Sequence, residues 1–337
     1  MLRFPSSGIN MLWLLSCCVI ALLSGCVSFK HLTTVPPAGE PGPKASECGA
    51  CHVQQHQEWQ ATVHAKAFTS PTFQEAAGNP PEEECLQCHS PLGMRDGQMV
   101  SRTFNREEGI TCVSCHLVGE AMHGPHGSTA LVSPHSIQED RTTYTSPSLC
   151  APCHGETHEQ WQKATAGKTA PTCQACHQAS IQRTVTQGTN VFSDILVAFE
   201  KKETTRSHDI NLERMAEVPE GITVSVSPVP PGSKATVLEV MIRNNLPHNL
   251  PTGTFGSKEI RLVPVIGDEK RQGVAIASAQ QALAPGEVKK VQLSLADTDL
   301  RSGHLRLSLE RSSESHPDRS PIVLASLPLQ PAAEVRP

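Results

Sequence analysis

A chain of 337 residues has room for two domains, yet it carries only eight Phe, three Trp and one Tyr, so something other than large aromatic side chains must fill much of its interior. A formal charge of −5 excludes the basic footprint of a nucleic-acid-binding protein. Thirteen cysteines exceed what an ordinary cytosolic protein carries and point to a disulfide framework, a metal or a covalent cofactor.

The N-terminus reads as a targeting segment. Arg3 is the only charged residue before Lys30, and the apolar run from Met11 to Leu23 is too short to span a bilayer as a mature helix. It ends in Leu23-Ser24-Gly25-Cys26, small residues before a cysteine, the pattern of a lipoprotein signal. Residues 1–25 are therefore expected to be removed and Cys26 to be lipidated, tethering an exported protein to a membrane surface. Val27 rather than Asp at the next position points to the outer membrane, with the protein facing the periplasm or cell surface. Four prolines and two glycines between His31 and Ala45 make residues 26–45 a tether.

Once Cys17, Cys18 and Cys26 are set aside, every remaining cysteine falls in a Cys-x-x-Cys pair followed at once by His. The pairs are Cys48 and Cys51 before His52, Cys85 and Cys88 before His89, Cys112 and Cys115 before His116, Cys150 and Cys153 before His154, and Cys173 and Cys176 before His177. Two thiols at this spacing add across the vinyl groups on one edge of a haem, and the adjoining imidazole reaches the iron as proximal ligand. Zinc ribbons need no His after each pair. Disulfides would leave the five histidines unexplained. Thioredoxin-type motifs come singly beside a βαβ pattern that is absent here. The sequence thus predicts five covalent haem c groups between residues 48 and 177, too dense for a conventional apolar core, so that the haems themselves form it.

Segments 48–89 and 150–177 look like an internal duplication. His56, Trp59, Gln60 and Lys66 after His52 match His158, Trp161, Gln162 and Lys168 after His154 at the same offsets. His56 and His158 lie one helical turn beyond their own proximal His and cannot reach the opposite face of that haem, so a solvated helix face suits them. His64 has no counterpart, because Ala166 takes its place in the second copy.

The stretches CGACHVQQHQEWQATVHAKAF, CLQCHSPLG, GITCVSCH and LCAPCHGETHEQWQ followed by CQACH resemble the multihaem cytochromes related to cytochrome c five-fifty-four, the electron acceptor of the hydroxylamine oxidation pathway. The resemblance covers about residues 46–210. It implies distal haem ligation by His64, in a W-x4-H element, by His135 ahead of the fourth motif, and by His208 after the last. Asn245 to Gly253 resembles the G-H-x-x-P-T-G stretch that opens β domains appended to such cytochromes, with Pro247 in place of Gly, and this implies His248 as a ligand reaching across domains. For the remaining haem His123 and His126 are the nearest candidates, with Met94, Met99 and Met122 as alternatives. The type member holds four haems, one without a distal protein ligand, so an open iron is one outcome for a five-motif chain.

Asp194 to Thr204 reads as a joining helix. From about residue 218 cysteine disappears and short alternating runs begin at Ile222–Ser227, Ala235–Ile242, Glu259–Ile266, Glu287–Leu295 and His304–Leu309. The expected fold is a mostly α and irregular multihaem cytochrome domain over 46–210, then an all-β, β-sandwich-like domain over 218–328, with a disordered tail at 329–337. No catalytic constellation appears in the β half. Electron transfer between redox-protein donors and acceptors, other cytochromes among them, is the leading expectation. Two rivals remain open: an enzyme acting on a small nitrogen or sulfur species at a five-coordinate haem, and a subunit of a larger cytochrome complex or filament.

Overall fold

The computed structural model describes residues 29–329 apart from 94–98, 129–132, 190–193, 195–196, 211–220, 228–236, 254–257, 301–303 and 314–319. The expected signal peptide, Cys26, Met94 and residues 330–337 of the expected tail lie outside the described residues. The amino-terminal half is built from short helices: α1 (Ala45–Gly49), α2 (Val53–Gln60), α3 (Pro71–Ala76), α4 (Glu83–His89), α5 (Cys112–His116), α6 (Arg141–Thr145), α7 (Gly155–Thr165) and α8 (Cys173–His177). Neither α2 nor α7 buries a single residue. Among the described residues of this half, the one apolar cluster centres on Phe73, Ala77 and Leu86. Helices this short gain their stability from tertiary packing, and side chains alone supply little of it here. An interior filled by a bound group answers that shortage.

Polar staples do the rest. The guanidinium of Arg102 is fully buried and donates to the carbonyls of Pro91, Phe104, Asn105 and Gly109 and to Ser114 Oγ, at 2.8–3.4 Å. Ser114 lies inside α5, so Arg102 ties the third motif to the chain leaving the second. Gly109 has φ +61°, and a Cβ there would stand 2.4 Å from the carbonyl oxygen of His64. Only glycine lets the chain pass that close, and the next residue, Ile110, donates its N–H to that oxygen at 2.9 Å.

The expected tether departs from its reading. Phe29–Thr33 forms a 3-10 helix with Leu32 and Thr33 buried, and Asn105 Nδ2 holds the carbonyls of Gly42 and Pro43. Proline and glycine mark irregular chain, but irregular chain can dock as well as dangle. The expected joining helix, Asp194–Thr204, lies partly outside the described residues; Asp194 and Val197 are helical, and its last two residues depart, where strand β7 (Glu203–Arg206) pairs antiparallel with β6 (Ser180–Arg183). The intervening strands of this half are β1 (Pro91–Gly93) with β2 (Val100–Ser101), and β3 (Leu117–Val118), β4 (Ala121–Gly124) and β5 (Ile137–Glu139) in one small sheet.

The carboxyl-terminal half consists of antiparallel sheets. One orders β13 (Val288–Ser294), β9 (Val237–Asn244) and β8 (Ile222–Val226). The other runs β11 (Glu269–Lys270), β10 (Lys258–Ile266), β14 (Leu305–Ser313) and β15 (Ile322–Pro328), with β12 (Val274–Ser278) also on β10. Val240, Ile242 and Leu293 from the first sheet share one core with Ile260, Leu262, Leu307 and Leu309 from the second. This core is the folding engine of the β half. Leu307→Ala should therefore cost about 2–5 kcal/mol, read as a lower denaturation midpoint of the β half, while covalent haem content stays unchanged.

Candidate haem-ligand sites

Each motif forms a helical turn that fixes its histidine: α4, α5 and α8 end on His89, His116 and His177, while His52 and His154 cap the N-termini of α2 and α7. Backbone carbonyls orient three of these rings. Nδ1 of His52 donates to Val185 O at 2.9 Å, that of His89 to Ala67 O at 2.7 Å, and that of His116 to His123 O at 2.7 Å. A carbonyl only accepts, so Nδ1 carries the proton and the Nε2 lone pair is left for a metal.

Four motif histidines face a second imidazole. Ring centres lie 6.3 Å apart for His52 and His135, 6.2 Å for His154 and His64, 6.1 Å for His116 and His208, and 6.3 Å for His177 and His248. Two imidazoles gripping one metal ion from opposite sides through bonds of about 2 Å leave their ring centres about 6 Å apart, whereas rings packed directly on each other come closer. The spacing fits an iron between each pair, and the ten thiols of the five motifs are free to bond a macrocycle. The donor set, two thiols and one imidazole per motif with a second imidazole opposite four of them, therefore fits haem c.

The pairing crosses the duplication. His64, present only in the first copy, faces the proximal histidine of the second. His56 and His158 each lie against the tryptophan of their own helix, 5.6 Å from Trp59 and 6.1 Å from Trp161, and neither is paired with a motif histidine. His126 Nε2 meets Thr204 O at 3.0 Å, and His123 sits on β4 with its Nδ1 buried and unpartnered. His89 differs from the other four. Its ring stacks on Phe73 at 4.0 Å and 14°, too close for a metal ion between them. Among the described residues no imidazole is paired with it.

Burial pushes His64 and His208 down to about 4, which keeps both rings in the neutral form that binds a metal. His208 lies beyond the last motif on irregular chain, and an ion pair that sequence reasoning missed holds it there. Glu58 Oε2 accepts from His208 N at 2.8 Å, and both Glu58 oxygens accept from Arg183 at 2.7 and 3.1 Å. Arg183 also bonds Thr205 Oγ1 and Arg206 O. No sequence signal links these residues, since Glu58 and Arg183 stand 125 positions apart. Tyr144 was likewise missed. It stacks on His116 at 5.2 Å and 8° and donates its hydroxyl to Cys115 O at 2.7 Å.

The motifs form one connected set. The thiols of Cys48 and Cys112 meet, as do those of Cys88 and Cys153 and those of Cys150 and Cys173. Cys115 lies within electrostatic reach of Cys150 and Cys153. The fourth motif thus touches the second and fifth and adjoins the third, which touches the first.

His64→Ala should convert about one haem equivalent from low-spin to high-spin and open it to carbon monoxide, with covalent haem content unchanged. His56→Ala should leave the spin-state spectrum as it is. Equal effects from the two variants would remove the assignment.

A family model described as cytochrome c554 and c-prime matches residues 47–117. Cytochrome c-554 of Nitrosomonas europaea is 30% identical over 93 residues, 24% of this chain and 40% of that protein, so the chain spans well under half of that relative's length. A penta-heme cytochrome c552 from Thermochromatium tepidum shares the fold, with a TM-score of 0.56 at 15% identity over 85% of this chain and 99% of that one. With five Cys-x-x-Cys-His turns and four opposed imidazole pairs, these likenesses support a multihaem c-type cytochrome.

Proposed function

We propose that the chain is an exported, lipid-anchored electron relay that holds five haem c groups and passes electrons between redox-protein partners. The observation that carries this reading is the set of four imidazole pairs spaced 6.1–6.3 Å apart. Haem c supplies one-electron redox chemistry when bound. An iron capped by the protein on both faces has no position for substrate, which suits carrying electrons rather than transforming a molecule. The residues do three things toward that end. Thiols from different motifs meet, which keeps neighbouring sites close. Carbonyl acceptors and the Glu58–Arg183 pair hold ligand rings in place. Burial of His64 and His208 excludes water from two of the sites. Cys26 would fix the relay to the outer membrane, facing the periplasm or cell surface.

One observation favours a second activity at one site. His89 has a carbonyl to orient it and an aromatic ring to pack on it, but no paired imidazole among the described residues. A haem held by Cys85, Cys88 and His89 would face no second imidazole among the described residues and could take a small nitrogen or sulfur species, while the other four would feed or drain it.

Pyridine haemochrome with intact mass should give five haems per chain that survive denaturation. Cys26→Ser should release the protein from membranes with the same haem load. A wild type that fractionates as soluble with an unmodified N-terminus would remove the anchor, and a protein with fewer than five haems would remove the count.

A further inference from the structure

The inward face of the larger sheet ends in two cations. Leu262 pairs with Leu309, Ile260 with Arg311, and Lys258 with Ser313 across β10 and β14. Alternation along each strand puts Lys258 and Arg311 on the face that carries the fully buried Ile260, Leu262, Leu307 and Leu309. An apolar stripe that finishes in charge breaks the binary pattern, and such breaks cluster at functional positions.

This end of the sheet is where the β half meets the haem-binding half. Lys258 Nζ donates to Thr252 O at 2.8 Å. Thr252 and Thr157 share a hydroxyl–hydroxyl bond of 2.6 Å, and Asn249 N donates to Gln160 Oε1 at 2.9 Å. Both threonine and glutamine partners lie on α7, directly after His154. Burial lowers the pKa of Lys258 and of Arg311, and each cation stands near the other. Lys258 feels one carboxylate, Glu156, and Arg311 has no acidic partner among the described residues. Lys258 also lies within electrostatic reach of His154. Two cations that share one carboxylate, Glu156, among the described residues are only partly compensated, and charge withdrawn from water without full compensation is costly, so this corner calls for an anion.

We propose that Lys258 and Arg311 form a seat for carboxylates, filled by the propionates of the haem c that Cys150, Cys153 and His154 hold. The proposal rests on the haem reading above. Thioether bonds pin one edge of that group to Cys150 and Cys153, where thiols of the second and fifth motifs crowd, and its two carboxylates leave from the opposite edge. Two cations that share a single acid, Glu156, among the described residues leave room for further carboxylates. The β half would then act on the fourth site by charge as well as on the fifth through His248.

Potentiometric titration of the full-length holoprotein followed by absorbance tests this. In Lys258→Met/Arg311→Met the haem load and spin states should match wild type. One couple should move to lower potential by about tenfold in its oxidised-to-reduced ratio, about 59 mV for a one-electron couple. The charge-retaining Lys258→Arg and Arg311→Lys variants should titrate near wild type, and the single Arg311→Gln gives the same direction if the double variant folds poorly. Added phosphate at constant ionic strength should leave the wild-type couples in place. Unmoved couples in a fully loaded variant would overturn the seat. Wild-type couples that follow the phosphate concentration would also overturn it, by assigning the corner to a soluble anion. A wild type without haem would instead sink the underlying reading.

Discussion

An imidazole held about 6 Å from a second imidazole, with room for one iron between them, is the interaction on which this structure depends. Among the described residues of the amino-terminal half the one apolar cluster centres on Phe73, Ala77 and Leu86, and its two longest helices bury nothing. Covalent attachment answers that weakness: a haem fixed by two thiols and gripped by two rings is both cofactor and core. Haem attachment would then stabilise this half as well as load it, and the short helices need only present a motif at the right place.

The β half has the opposite character. It carries a conventional apolar core shared by two sheets and contributes to the haem-binding half at its margin. His248 lies opposite His177 with Nδ1 near Asn249 O at 3.0 Å, and Asn249 itself bonds α7. The sheet pair thus places an imidazole and a hydrogen-bonding backbone N–H against the haem-binding half. At the seam the hydroxyls of Thr157 and Thr252 meet directly at 2.6 Å.

The motifs were legible because the chemistry of thioether attachment demands one spacing and one following residue. Partners were less so. Resemblance singled out His64, His135, His208 and His248, but nothing local says that His64 faces His154 rather than a site in its own copy. Glu58 and Arg183 were invisible for the same reason: a buried ion pair between distant segments leaves no periodicity. Arg102 read as one more charge in a polar stretch, although it organises the chain around the third motif. The β strands showed themselves where apolar residues alternate. The end of β14 was hidden because Arg311 stands where the alternation calls for an apolar residue, next to Glu310, which pairs with Lys270 at 2.7 Å. Residues 26–45, and Glu203 and Thr204 at the end of the joining helix, misled because composition reports local preference, while docking at Leu32 and pairing of Glu203–Arg206 are tertiary outcomes.

The central claim is that four sites are capped on both faces by the protein's own imidazoles and the fifth, at His89, is not. Counting spin states in the oxidised wild-type holoprotein, by resonance Raman together with EPR, tests it most directly. The account predicts four low-spin haems and one high-spin haem. Five low-spin haems would contradict it and give His89 a partner such as His123, His126 or a methionine, and two or more high-spin haems would break the imidazole pairs themselves.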